Sequence, residues 1–245
     1  MVHQYKLFGI NFIQAEYEGY LELLKKGSLM VVPAAPALAT INEDKKYYKA
    51  LKNADFAIPD SGLMTLLLRI FFRKKINKFS GYLFLKEFIN DESLKYENSV
   101  FLIDPSTENS HKNNQFLKEN NFKISKEFHY AAPMYDKNNI TDYELLKILD
   151  SKKPDYILIN LGGGVQERLG LFLRNKLSYK PGIICTGAAI AFFTGDQAKI
   201  SNWIDKYYLG WLIRCIYNPK IFIPRYIKGL KLTSIFFKEI FNKKR

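Results

Sequence analysis

Short apolar runs alternate with longer, more polar segments along most of the chain. Residues 28–32, 99–103 and 156–161 are predominantly apolar runs of strand length, and 181–185 supplies another short one. The segments 41–53, 109–120 and 166–177 have the length and polarity of helices that cover such strands. Uninterrupted apolar strands that alternate with helices predict an α/β fold, a Rossmann-like and mainly parallel sheet with helices on both faces.

The carboxyl ends of the predicted strands are where a binding site is expected. In open α/β sheets, ligands bind in the crevice beyond those ends. The loops at 33–36, 59–62, 161–167 and 186–191 therefore hold the candidate functional residues.

The last part of the chain differs from the rest in charge. Residues 199–245 contain eleven lysine or arginine residues and two acidic ones, a net charge of +9, whereas the whole protein carries +13. Aromatic side chains are interleaved with these cations, as in helices that lie on an anionic membrane surface. A solvated helix face and a nucleic-acid surface are the alternatives, although no nucleic-acid motif accompanies the charge. We predict an α/β domain at 1–198 and a basic, aromatic-rich helical appendage at 199–245.

Composition narrows the class of protein. A chain of 245 residues with 47% hydrophobic residues can bury a sizeable core. Its two cysteines and three histidines show no metal-ligand spacing, so neither a metal nor another cofactor is expected. The first residues lack the pattern of a secretory signal, and no apolar run reaches the roughly 20 residues of a membrane span. The expected location is the cytoplasm.

Asp60 is the first candidate for chemistry, because it follows an apolar strand and precedes an apolar run that begins near Leu63. A carboxylate at this position could cap the N-terminus of a helix, or it could accept a proton from a substrate hydroxyl. The residues alone favour the cap.

A glycine-rich turn supplies the second candidate. Gly162, Gly163 and Gly164 follow the strongest strand, and Gln166 and Glu167 open the next helix. Their backbone N–H groups could cradle a diphosphate beside the helix N-terminus, or the turn could be purely structural. The run does not fit the GxGxxG pattern of dinucleotide-binding proteins.

Several segments in a fixed order carry a resemblance to a known family. They are an early strand that ends at Pro33, the segment 54–62, the turn 161–167, the segment 187–195, Trp203, the segment 209–214, 218–220, and Arg225 with Tyr226. This series, from about residue 9 to residue 229, resembles the WecG/TagA/CpsF glycosyltransferases. The resemblance implies transfer of a sugar, often of the N-acetylmannosamine type, from a UDP-sugar to a polyprenyl-diphosphate-linked sugar in cell-surface polysaccharide synthesis.

The resemblance also implies roles for individual residues. Asp60 matches the family's proposed catalytic base, with Ser61 where the family has glycine, and Gln166 and Glu167 match the end of its Pro-Lys-Gln-Glu motif. Gly187 lies in a matching glycine-containing segment. Arg214 and Arg225 match basic positions of a C-terminal appendage that closes over the diphosphate and touches the membrane. An inverting reaction and self-association into a homo-oligomer are further implications.

Some family positions are replaced in this chain. The family's Thr-Pro-Asn reads Val32-Pro33-Ala34, so a hydroxyl and an amide are missing, and Ala191 and Gly210 stand where many members have Asp and Glu. A changed donor or acceptor is the first interpretation. The second is a catalytically silent member that binds nucleotide-sugar or lipid diphosphate as a scaffold. Expected partners are thus a UDP-sugar, a polyprenyl-diphosphate-linked acceptor and an anionic membrane surface, and not nucleic acid.

Overall fold

A single sheet organises the protein in the computed structural model, which describes residues 2–60, 65, 69, 79–136, 139–187, 189–195 and 210–243. Within these residues the sheet has eight strands in the order β1-β2-β4-β3-β8-β7-β5-β6. The strands are β1 (His3–Leu7), β2 (Ile10–Gln14), β3 (Leu29–Val31), β4 (Phe56–Ala57), β5 (Val100–Asp104), β6 (His129–Ala131), β7 (Tyr156–Ile159) and β8 (Gly182–Cys185). Only β1 runs antiparallel to its neighbour, and the other described pairings are parallel.

The central strands are parallel because both of their faces are covered. Every residue of β3, β5, β7 and β8 is buried, which requires the continuous apolar runs seen in the sequence. Parallel neighbours also need crossover connections, and the segments between these strands supply helices. One consequence is that the seven parallel strands all end at the same edge of the sheet.

Seven helices in the described residues accompany the strands up to β8. They are α1 (Tyr17–Lys25), α2 (Ala35–Leu38), α3 (Lys45–Asn53), α4 (Gly81–Asn90), α5 (Thr107–Glu119), α6 (Tyr143–Lys152) and α7 (Val165–Lys176). Four begin at side-chain caps, because Asp44, Ser80, Ser106 and Asp142 each accept a hydrogen bond from a backbone N–H of the first turn.

The N-terminal hairpin reverses direction in two residues. Phe8 and Gly9, with φ of 52° and 70°, join β1 to β2, as in the tight turns that match the twist of antiparallel strands. A phenylalanine is costly in this left-handed region. Its ring is nevertheless buried and packs edge-on against Phe236 at a centroid distance of 5.2 Å.

Three helices follow at the C-terminal end: α8 (Gly210–Tyr217), α9 (Pro219–Gly229) and α10 (Lys231–Lys243). Leu232 and Phe236 of α10 are fully buried in the main core. Gly229 at the end of α9 approaches Pro36 of α2, since a Cβ built at this glycine would lie 3.4 Å from the proline Cγ. These contacts dock the C-terminal helices beside the loop that follows β3.

The prediction of a mainly parallel α/β sheet with a C-terminal helical segment is confirmed. The antiparallel strand β1 was not predicted, and neither were α4 and α6. The apolar run that begins near Leu63 lies largely outside the described residues. No helix in the described ranges is long and apolar enough to cross a bilayer.

Candidate active site at the carboxyl ends of the strands

Four adjacent strands, β4, β3, β8 and β7, bring the predicted loops together. Asp60, Val32, Thr186 and Gly162 follow these strands in the chain and lie at the common carboxyl edge. The sequence prediction placed the functional loops at this edge, and the parallel pairing makes them neighbours.

Asp60 binds the first turn of α4, whereas the predicted helix near Leu63 lies largely outside the described residues. Its Oδ1 accepts a hydrogen bond of 2.9 Å from the backbone N–H of Gly81, the first residue of α4. The side chain is half-buried, so the carboxylate retains an exposed part. A cap and a reactive carboxylate are therefore compatible, because one oxygen is anchored and the other keeps its lone pairs.

Gly81 lies next to the residues that follow three neighbouring strands, β3, β8 and β4. A Cβ built on it would lie 3.2 Å from Val32 Cγ1 and 3.6 Å from Thr186 Cβ. Val32 follows β3 and Thr186 follows β8, and these strands are paired with Val31 opposite Cys185. The N-terminus of α4 thus sits against β3 and β8 while its N–H holds the carboxylate that follows β4.

A chain of hydrogen bonds joins the turn after β7 to the turn after β8. The backbone N–H of Gly187 donates to Gln166 Oε1 at 2.7 Å, and Gln166 Nε2 donates to Glu167 Oε1 at 3.1 Å. Glu167 Oε2 in turn accepts from the backbone N–H of Gly164 at 2.6 Å. The carboxylate three residues into α7 therefore closes on the residue that begins the helix, as in a capping box.

Both polar side chains of this chain are buried, with Gln166 3% and Glu167 1% exposed. Burial raises the pKa of the Glu167 carboxyl, and the hydrogen bonds that it accepts oppose that rise. Burial also raises the pKa of the neighbouring Cys185 thiol, so the thiol is protonated and is not a nucleophile at neutral pH. In the structure, the hydrogen bonds of Gln166 and Glu167 are made to the protein itself.

Gly162 and Gly163 are the open part of the glycine-rich turn. Both are exposed, and a Cβ on either would meet no atom within 4 Å. Gly164 has φ of 89°, a conformation that glycine adopts without strain, and its N–H is engaged by Glu167. The surface available to a ligand is thus the backbone of Gly162 and Gly163.

Arg168 fixes the outer side of this turn. Its Nη1 donates to the carbonyl oxygen of Gly164 at 3.0 Å, and its Nη2 forms an ion pair with Asp44. Asp44 simultaneously caps α3 through the N–H of Tyr47. The glycine-rich turn is consequently tied to the N-terminus of α3.

A buried polar cluster beyond β5 and β7 was missed by the sequence analysis. Asp104 Oδ1 accepts hydrogen bonds from Asn113 Nδ2 at 2.6 Å and Asn160 Nδ2 at 2.7 Å, and its Oδ2 accepts from Ser110 Oγ at 3.1 Å. Burial raises the pKa of Asp104, and these donors oppose the rise. Asn160 immediately precedes the glycine-rich turn, so the cluster anchors the start of that turn. The signal in the sequence was a polar residue at the end of each apolar strand.

Some predicted residues lie partly or wholly outside the description. Arg214 lies on α8 and Arg225 on α9, but their side chains are outside the described residues, as are Ser61, Gly62 and Trp203. The helices that carry the two arginines pack close to the site. Ile213 of α8 contacts Phe192, which lies in the segment after β8, and α9 contacts α2.

Comparisons with known proteins show which family the sequence matches. Residues 5–245 match the sequence model of the glycosyl transferase WecG/TagA/CpsF family. The chain is also similar to the N-acetylglucosaminyldiphosphoundecaprenol N-acetyl-beta-D-mannosaminyltransferase of Bacillus subtilis (strain 168). The identity is 22% over 237 residues, which cover 90% of this chain and 88% of that protein.

Proposed function

Because this chain belongs to the WecG/TagA/CpsF family of glycosyltransferases, we propose that it transfers a hexose from a UDP-sugar to a polyprenyl-diphosphate-linked sugar. The name of the Bacillus relative supports an acceptor of this kind and a donor sugar of the N-acetylmannosamine type. The observation that carries the proposal is the convergence of Asp60, Gly81 and the open turn at Gly162 and Gly163 on one sheet edge.

Asp60 is the proposed general base. Deprotonating an acceptor hydroxyl requires a carboxylate that is partly accessible and held in one orientation. The 2.9 Å bond from Gly81 N–H supplies the orientation, and half-burial leaves room for a substrate. The carboxylate also lies beside the N-terminus of α4, where the backbone N–H groups carry partial positive charge.

The leaving UDP needs positive or donor groups for its developing charge, and such stabilisation is commonly the largest catalytic contribution. We assign this role to the exposed backbone of Gly162 and Gly163 at the start of α7, together with Arg214 and Arg225. The N–H groups of Gly164 and Gly187 are used inside the protein. Gln166 and Glu167 therefore orient the donor by fixing the two turns around it.

The reaction is proposed to invert the anomeric configuration. In that case the acceptor oxygen, deprotonated by Asp60, attacks the sugar carbon from the face opposite to UDP. Asp60 follows β4 and the glycine-rich turn follows β7, with β3 and β8 between them in the sheet. This separation lets base and leaving group flank a bound sugar.

The C-terminal helices are the proposed membrane-facing surface. Ile216, Ile227 and Leu230 are exposed by 70%, 62% and 59%, an unusual density of exposed apolar side chains. Lys220 and Lys228 lie on α9 with Ile227, and Lys231 and Lys238 lie on α10. Exposed aliphatic groups among lysines suit insertion at an anionic lipid surface, which also holds the acceptor. The proposed location is the inner face of the cell membrane, with a homo-oligomer as the proposed assembly.

A binding protein without activity is the second candidate, and one observation favours it. Val32 and Ala34, at the end of β3, offer no polar side-chain group beside Asp60. A site with fewer polar contacts to the sugar could bind a diphosphate without catalysing transfer.

A panel of UDP-sugars, incubated with a short-chain polyprenyl-diphosphate-linked N-acetylglucosamine, separates the two candidates. We expect one UDP-sugar to yield a disaccharide product together with one equivalent of UDP. Stabilisation by UDP-sugar without product would instead establish the binding protein. A ligand at about 100 times its dissociation constant stabilises by roughly 2.7 kcal/mol, which is readily measured by thermal unfolding.

A further inference from the structure

We propose that Thr186 is a specificity-determining residue whose hydroxyl binds the transferred sugar through a hydrogen bond to a hydroxyl or N-acetyl group. This inference rests on the proposed function, because it names a contact of the same site. It concerns a residue that the sequence analysis placed only within a loop.

The position of Thr186 follows from the sheet register. Val31 of β3 lies opposite Cys185 of β8, so the next residue along each strand, Val32 and Thr186, leaves the sheet at the same level. Both side chains contact the position of a Cβ at Gly81, at 3.2 Å and 3.6 Å. The N–H of that same glycine holds Asp60. Thr186 and the proposed base Asp60 therefore both lie beside Gly81, the first residue of α4.

The hydroxyl of Thr186 has no hydrogen-bond partner among the residues that the structure describes. Its Oγ1 is buried and makes no hydrogen bond within the part of the chain that the structure describes. Buried hydroxyl groups almost always have a partner, and an orphan one is unfavourable until a ligand or a conformational change satisfies it. The following residue, Gly187, has its N–H satisfied by Gln166, so the backbone beside Thr186 is fixed while its side chain is not.

Rotation about one bond brings this hydroxyl to a ligand. The Thr186 side chain is only half-buried even though Oγ1 itself is hidden. A rotation of about 120° about the Cα–Cβ bond moves Oγ1 to another of the three staggered positions of this side chain. A sugar at the strand ends would then provide the hydroxyl with a partner.

Thr186 is the polar residue of the pair that it forms with Val32 at the ends of β8 and β3. Val32 is 8% exposed and has no group that can bond to a sugar. A threonine and a valine have nearly the same shape. A threonine at position 186 places the hydroxyl after β8, and a threonine at position 32 would place it after β3. An exchange of the two residues consequently moves the hydroxyl by about one strand spacing, roughly 4.8 Å.

The test compares Thr186→Val, Thr186→Ser and the exchange variant Val32→Thr/Thr186→Val in the full-length protein. With the UDP-sugar that the wild type transfers, we expect Thr186→Val to raise donor KM about tenfold, the scale of one hydrogen bond to a ligand. Thr186→Ser keeps the hydroxyl and should stay within about twofold of wild type. The exchange variant should regain part of the loss or prefer another UDP-sugar in the panel.

Affinity for UDP alone is the matched control, since UDP lacks the sugar. We expect the same UDP dissociation constant in all four proteins. The inference is overturned if Thr186→Val leaves donor KM unchanged, or if it weakens UDP as much as UDP-sugar. If the wild type catalyses no transfer, the proposed function fails separately. In that case calorimetry compares the affinity for UDP-sugar with the affinity for UDP, and the inference expects Thr186→Val to reduce this difference. Equal affinity of the wild type for both ligands overturns the inference too.

Discussion

The carboxylate of Asp60 is held at 2.9 Å by the backbone N–H of Gly81, the first residue of α4. This bond joins a residue that follows β4 to a helix that packs on the ends of β3 and β8. Because the cap uses one carboxylate oxygen, an amide at position 60 can preserve it through its own oxygen. The helix-capping role of Asp60 can thus be tested separately from its proposed role as a base.

We expect Asp60→Asn to keep the fold and the affinity for UDP-sugar while lowering transfer by on the order of 100-fold, as for loss of a general base. Asp55→Asn is the control. Asp55 precedes β4 and binds Arg174 and the N–H of Leu29, at the edge of the sheet where the parallel strands begin. This substitution should lower the melting temperature with little effect on turnover per folded molecule. Unchanged turnover in Asp60→Asn would leave Asp60 as a helix cap alone.

Gln166 should matter for both stability and donor binding. Gln166→Ala leaves the N–H of Gly187 without its acceptor, a loss of about 1–3 kcal/mol for a buried group. We also expect UDP-sugar affinity to fall, because the turn after β8 is released. Gln115→Ala, on an exposed face of α5, is the matched control. Calorimetry that finds full affinity in a destabilised Gln166→Ala protein would show that the residue is purely structural.

Asp104 gives a prediction about pH. Burial raises the pKa of this carboxyl above its value in the unfolded chain, so the folded protein binds more protons between the two values. The contribution of Asp104 to the free energy of unfolding is therefore complete below pH of about 4 and is lost as the pH rises through its folded pKa. Asp104→Asn removes this dependence and can still accept the bonds from Asn113 and Asn160.

Denaturant unfolding of both proteins between pH 4 and pH 8 measures the effect. The free energy of wild type relative to Asp104→Asn should decrease with rising pH, by about 1.4 kcal/mol for each unit of pKa difference. A constant difference across this range would contradict the elevated pKa.

The exposed isoleucines of α9 test the membrane surface. We expect Ile223→Ser/Ile227→Ser to reduce sedimentation with anionic liposomes at high salt, when electrostatic attraction is screened and apolar insertion dominates. Met134→Ser, at a residue 99% exposed on the α/β part, is the control and should not change binding. Equal binding of all three proteins would remove α9 from the membrane contact.

Substitution is a sharper test than deletion. A protein that ends before residue 199 would lack Leu232 and Phe236, which are buried in the main core. Loss of activity in such a truncation would therefore mix membrane release with exposed core. The surface isoleucines can be changed without that effect.

Continuous apolar runs made the parallel strands and their carboxyl edge predictable from the sequence. The role of α4 in the site was not predictable, because Gly81 gains it from Asp60, some twenty residues earlier in the chain. The polar cluster of Asp104 was missed for a similar reason. Its donors Ser110, Asn113 and Asn160 come from α5 and from the end of β7, and meet only when the sheet has formed.

The roles of Gln166 and Glu167 illustrate a different limit. The sequence shows two side chains at the start of a helix after a glycine-rich turn, an arrangement that fits ligand contact and internal bonding equally well. Only the folded chain shows that their oxygens accept from Gly187 and Gly164. The prediction of direct donor contact stays a prediction, and the structure adds a role in shaping the turns.

The contact between Phe8 and Phe236 spans almost the entire chain. The burial of the Phe8 ring is therefore complete only when α10 has packed against it. The loop that this contact closes is among the longest in the molecule, and closure entropy makes such contacts late in folding. During folding, the sheet and its carboxyl edge can assemble first, and the lysine-rich helices then pack against them. The surface proposed to meet lipid would then reach its final place after the sheet edge that holds the site has formed.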